Sequence, residues 1–178
     1  MKKRGKGLYK SGQIQITFGM IFSIILIVAF VGAAFWGIWQ FMKINKCAQA
    51  GIFKTDLQHK IDVAWNAPSS DDFFNGTLPS KIQYVCFVDF NSEKKETSTT
   101  SGFYDKFELF NIGDLNNPNN VVLYPTEDVC AGQKAFRLEH IDIATITETR
   151  NPYCVLNKNG DVDIVIEKNL REALVRLR

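Results

Sequence analysis

Two histidines, four cysteines and one Asn-Gly-Thr sequon are the residues of this 178-residue chain whose chemistry is weighed first. Imidazole near neutral pH serves as acid, base or metal ligand, but each role needs companions. His59 falls on the polar side of a predicted helix beside Lys60, and His140 falls in a predicted strand near Glu139 and Asp142. Neither is accompanied by a serine or cysteine nucleophile motif, and a lone imidazole does not make a metal site. "NKNGDVD", Asn157–Asp163, looks faintly like a calcium loop. Its glycine comes too early relative to the oxygen ligands, and no bidentate glutamate follows at the right distance. A hairpin turn explains it. There is no phosphate-cradling glycine loop. The sequence therefore predicts no catalytic residue, no metal and no cofactor: a non-enzymatic protein.

Cys47, Cys86, Cys130 and Cys154 are spaced by 39, 44 and 24 positions, with no Cys-x-x-Cys pair to suggest chelation. Three pairings are open. Cys86 with Cys154 is preferred because both sit in predicted strands, and Cys47 would then tie a helix to the loop of Cys130. Unpaired burial as small apolar residues is the alternative. Asn75 heads the sequon in a turn-like stretch after Asp71 and Asp72, where a glycan could project.

These residues must be positioned by an unusual distribution of charge. Lys2, Lys3, Arg4, Lys6 and Lys10 crowd the first ten positions. No charge follows over the 32 positions from Ser11 through Met42, and the first acidic residue is Asp56. A membrane-crossing helix needs about 20 mostly apolar residues. One span is predicted at about residues 18–41. The positive-inside rule places the N-terminus in the cytoplasm and the C-terminal part outside, at the cell membrane, where disulfides persist. The basic head would also sit well against anionic lipid headgroups. Beyond Met42, the 21 basic residues less the first five stand against 19 acidic ones, leaving about −3 and no hint of a nucleic-acid surface. A cleaved secretory signal ending at Ala34 is the rival. The apolar run continues through Phe35, Trp36, Ile38, Trp39 and Phe41, which argues against it.

Apolar residues then recur at Ile44, Ala48, Ile52, Phe53, Leu57, Ile61, Ala64 and Trp65, the spacing of one helical face. Lys46, Gln49, Lys54, Gln58 and Asp62 take the other. Pro68 and the "PSSDD" turn end the helix. The simplest reading is one helix from about Ile14 to Asn66, roughly 80 Å long, with two helices bent at Gly51 as the fallback. The remainder reads as β-rich. Strands are predicted in Lys81–Phe90, Phe103–Ile112, Val121–Pro125 and Phe136–Thr147, with a hairpin about Asn159-Gly160. "NLREALVRLR" is ambiguous between helix and edge strand. The predicted fold class is α+β: a transmembrane/amphipathic helix packed on an antiparallel, extracytoplasmic head. The organisation is a basic leader 1–12, a long helix 13–66 (transmembrane 18–41, amphipathic 43–66) and a β-rich domain 67–178. Within the span, Ala29, Ala33 and Gly37 recur every four residues, a face on which helix backbones can approach closely in a bilayer.

The basic head, Gly12-Gln13, and a hydrophobic helix running amphipathically into a β-rich head resemble type IV pilin-like proteins, closest to archaeal pilins with a class III signal peptide. That resemblance implies cleavage between Gly12 and Gln13 by a prepilin-type peptidase. It also implies that the helix stays with the mature subunit and packs against other pilin-like subunits, through Ala29, Ala33 and Gly37, in a filament core. Ser11 stands where the family usually has a cation, and Thr17 stands where it usually has a glutamate. Thr17 lacks the carboxylate that can pair with a neighbour's N-terminus in lipid. A minor, initiating or non-polymerising subunit therefore fits as well as a major one. The alternative class is a membrane-tethered binding or accessory domain with an uncleaved signal anchor.

Overall fold

The computed structural model describes residues 18–110 and 118–178. The leader, Gly12, Gln13 and Thr17 lie outside the described residues. The chain divides into two units between Phe41 and Met42. One helix, α1 (Phe18–Asn66), supplies the described part of the first unit and opens the second.

The N-terminal part of α1 is apolar, and its described side chains are exposed from Phe18 to Trp39. It is long and apolar enough to cross a membrane. In the second unit the same helix turns amphipathic. Ala50, Phe53, Leu57, Ile61 and Ala64 are buried at spacings of three and four. The buried stripe is shifted from the predicted one, because Ile44 and Ile52 are exposed and burial begins at Ala50. The helix ends at Asn66, two residues before Pro68. Lys168 donates from its Nζ to the carbonyls of Trp65 and Ala67, the latter at 2.9 Å. Terminal helix carbonyls lack partners within the helix, and a cation suits that negative end.

The head carries two antiparallel sheets. The first has the order β1-β6-β7: β1 (Ser70–Thr77), β6 (Asp161–Lys168) and β7 (Arg176–Leu177). The second has the order β4-β3-β2-β5: β2 (Tyr84–Phe87), β3 (Val121–Tyr124), β4 (Ala135–Phe136) and β5 (Tyr153–Leu156). Val162, Ile164 and Ile166 alternate inward along β6, the period of a half-buried strand. They share one core with the α1 stripe and with Val85, Phe87, Val121 and Leu123. The opposite face of the second sheet, through Cys86 and Val122, packs on Phe103, Tyr104 and Phe107. A sheet covered on both faces explains why "YVCF" and "VVL" are apolar at every position.

Several strand predictions give way. Phe103–Phe107 is a short helix, α2, followed by a 3-10 turn at Glu108–Phe110. Phe103 and Phe107 stand four apart and face the sheet together, so helical spacing outweighs aromatic strand propensity. In the predicted 136–147 strand only Phe136 belongs to a ladder, and Ile141 makes an isolated parallel bridge to Val175. Asp142 then starts a helical turn, α3 (Ile143–Ile146): its side chain accepts from the Thr145 N–H at 3.1 Å and the Thr145 hydroxyl at 2.7 Å. The Asn159-Gly160 turn is present, with φ of 61° and 119°. Lys158 and Asp161 exchange backbone hydrogen bonds across it, and the flanking strands then join different sheets, so the hairpin closes with one bridge and does not continue as a ladder. Ser70–Thr77, read as turns, is a strand pairing from Ser70↔Lys168 to Thr77↔Asp161. The C-terminal segment resolves as the edge strand β7.

Buried asparagines hold the loops between these short strands. Asn151 is fully buried; it accepts from the Asp89 N–H at 3.1 Å and donates to the Asp89 carbonyl at 2.7 Å. Asn120 does the same for Leu138, and Asn157 donates to the Ile82 carbonyl at 2.7 Å. Buried amides are tolerated only when partnered in this way.

Candidate functional site

The feature of the first unit that bears on function is the exposed apolar surface of α1. Ala29, Ala33 and Gly37 are exposed there, and a Cβ added at Gly32 or Gly37 would meet nothing within 4 Å. Another helix backbone has room to approach. Exposed Phe30, Phe35, Trp36 and Phe41 add an apolar area that water would not tolerate uncovered.

In the head, both disulfides of the preferred pairing are formed. Cys86 and Cys154 face each other across β2 and β5. Cys47 bonds Cys130 with a Cα–Cα distance of 5.5 Å, tying α1 to the loop before β4. Two disulfides fit an oxidising compartment.

Asn75 is exposed, but on strand β1 and not in a turn, and its amide donates to Asp163 Oδ1 at 2.8 Å. Gly76, inside the sequon, points inward, where an added Cβ would stand 2.5 Å from Phe74 and 2.6 Å from Phe53. That glycine is required by close packing.

The histidines lie apart. His59 is exposed on α1. His140 sits in a bend with φ of 62° and not in a strand. It stacks on Trp65 with ring centroids 3.8 Å apart, and its Nδ1 lies 3.0 Å from Asp62 Oδ1. Gln58 accepts from the Glu139 N–H at 2.9 Å, and the Trp65 indole donates to the Ala173 carbonyl at 3.1 Å. Together these bonds clasp the last turns of α1 onto the head. Partners about 80 positions apart leave no local signal in a sequence, so this clasp was not legible there. Among the described residues, no three His, Cys, Asp or Glu side chains group to hold a metal ion.

Two carboxylates, exposed Asp72 and half-buried Glu172, carry a pH dependence. The Lys60 ammonium, 2.8 Å away, and the Phe73 N–H hold Asp72 below its usual 3.8. The Asn169 side chain and backbone N–H, with Arg176 behind them, hold Glu172 below its usual 4.5. Both folded values lie below the unfolded ones. Their stabilisation is therefore complete above the usual carboxylate range and is lost as pH falls through the folded values. The melting temperature of the chain is expected to be level above about pH 5 and to fall below about pH 4. Thermal denaturation across pH checks this, with a shallower fall expected for Asp72→Asn combined with Glu172→Gln.

Comparison with protein-family models, curated proteins and solved structures finds no match for this chain. What the fold itself defines is the class: an α+β protein with a long apolar N-terminal helix and a two-sheet, disulfide-bonded head.

Proposed function

We propose that this chain is a pilin-like structural subunit, non-enzymatic and anchored in the cell membrane by a single span. Its N-terminus lies in the cytoplasm and its head outside. One observation carries the reading: α1 runs unbroken from an exposed apolar stretch into an amphipathic stretch on which the head is folded. An ordinary membrane anchor needs no such continuity. In a pilin-like subunit, one helix serves both the assembly core and the head. The leader ending at Gly12 supports cleavage before Gln13 by a prepilin-type peptidase, as in archaeal class III signal peptides. Ala29, Ala33 and Gly37 support helix packing against other pilin-like subunits, in a surface filament or a secretion pseudopilus. With Thr17 where the family usually has a glutamate, a minor, initiating or non-polymerising subunit fits as well as a major one.

A second reading, a membrane-tethered binding domain with an uncleaved anchor, is favoured by the departures at Ser11 and Thr17. N-terminal sequencing of protein from its native membrane separates the two. A chain beginning at Gln13 supports the processed subunit, and a chain retaining residues 2–12 supports the tethered domain.

A further inference from the structure

Strand β1 presents side chains outward at the period of two that a strand imposes. Phe73, Asn75 and Thr77 are exposed, while Phe74 and Gly76 between them are buried. Successive outward side chains on a strand stand about 7 Å apart. Packing accounts for Gly76, whose added Cβ would strike Phe53 and Phe74. It does not account for the Asn and Thr that complete an N-glycan acceptor around it. The Asn75 amide carries two hydrogens, and one is donated to Asp163 Oδ1 at 2.8 Å, across the ladder to β6. That bond orients the amide and leaves the second hydrogen for replacement. Among the described residues, the Thr77 hydroxyl has no hydrogen-bond partner.

The neighbour on the other side is Phe73. It remains 53% exposed on the solvent face of the strand, although Val165 stands opposite it. A hollow of about 420 Å³ opens beside Asn75, with Phe73, Asp56, His59 and Lys60 in its wall. A pyranose ring has C–H hydrogens along one face, apolar and weakly positive, and an aromatic ring offers a negative face to them. A sugar bonded to Asn75 is held one side-chain spacing from that ring. The polar ends of Asp56, His59 and Lys60 suit its hydroxyls.

We propose that Asn75 is N-glycosylated and that the first sugar lies on the ring of Phe73. The donor is an oligosaccharide carried on a membrane lipid phosphate. Asn75 Nδ2 bonds to the anomeric carbon of the first sugar. The bond from that carbon to the carrier's phosphate oxygen breaks, and its electron pair leaves with the phosphate. One amide proton is released, and the other stays on Nδ2, still able to donate to Asp163. The proposal rests on the reading that places the head outside, where exported chains meet lipid-linked sugars.

The test is peptide mass spectrometry of the full chain purified from its native membrane, with free thiols counted in the same digest. The peptide containing Asn75 is expected to carry linked sugar residues attached at Asn75. Asn75→Gln and Thr77→Val should each lose them entirely, and Thr77→Ser should keep them. An unmodified Asn75 in a chain with both disulfides formed would overturn the proposal and leave the exterior placement standing. An unmodified Asn75 with free thiols would overturn both. The stack is read from melting temperatures. Phe73 is half exposed, so Phe73→Ala should fold. Loss of the glycan through Thr77→Val should lower the melting temperature by a few degrees more with Phe73 present than in the Phe73→Ala background. An equal change in both backgrounds would overturn the placement of the sugar on Phe73.

Discussion

Phe53→Ala is expected to lower the stability of the head by about 3–5 kcal/mol, the usual cost of truncating a buried phenylalanine. Phe53 is 1% exposed and meets Phe74 edge to face, with ring centroids 5.5 Å apart. It is the point where α1 enters the core of the first sheet. Gly76 is a glycine because that ring fills the space above it. Neighbouring backbone in β1 is held by its ladder to β6 and cannot collapse into the gap. Alanine favours the helix by a few tenths of a kcal/mol, too little to offset the loss. Domains of this size hold about 5–15 kcal/mol in all, so the variant should unfold at much lower urea. Urea titration of the full chain in detergent, followed by far-ultraviolet circular dichroism, measures this. Ile52→Ala, at a position 58% exposed, is the control and should be nearly neutral. Equal midpoints for the two variants would mean that α1 does not pack on the sheet through this face.

The second large effect is expected from opening the bond between Cys47 and Cys130. Replacing both by serine should cost about 2–4 kcal/mol, because the bridge closes a separation of 83 residues in the unfolded chain. Between buried Val129 and Lys134, whose carbonyl accepts from the Leu123 N–H at 2.9 Å, the bridge is the main tie of this loop to the head. Strand β4 is two residues long and pairs only with β3. Gln133 N–H reaches Cys130 O at 3.0 Å, a bond within the loop itself. Limited proteolysis should therefore cut the double variant between Val129 and Lys134 while sparing wild type. Cys86→Ser with Cys154→Ser should leave that loop protected, since β2 and β5 remain paired in register. An uncut loop and an unchanged urea midpoint in the Cys47/Cys130 variant would show that this bridge does not constrain the chain.

Much of the architecture was written locally. An uncharged run, a switch to helical periodicity and a proline stop sufficed to place α1 to within a residue at its C-terminal end. The shifted stripe, from Ala50 and not Ile44, depended on where the head begins, which periodicity alone does not carry. "YVCF" is legible as a central strand, and "VVLY" as a strand, because burial on both faces leaves only apolar residues. Phe103–Phe107 was misread because aromatic density favours strands, while the deciding fact was a four-residue spacing. Asn159-Gly160 has the turn geometry its residues require, yet β6 leaves β5 to pair with β1. That choice is made by the long-range match of Phe74 and Gly76 to Ile164 and Val162. The cysteine pairing follows from placing two of the four in strands; that those strands are neighbours is seen only in the fold. The clasp of Asp62, Trp65 and His140 joins residues from distant segments. It leaves no spacing that a sequence reader could count.

The proposed subunit retains its apolar helix and loses its leader. The most direct test is the intact mass of protein extracted from its native membrane, with the N-terminus read by sequencing. The expected result is a membrane-bound chain beginning at Gln13, with both disulfides intact. A chain found in the soluble exterior fraction and beginning near Phe35 would contradict it, because the apolar stretch would then be a discarded export signal.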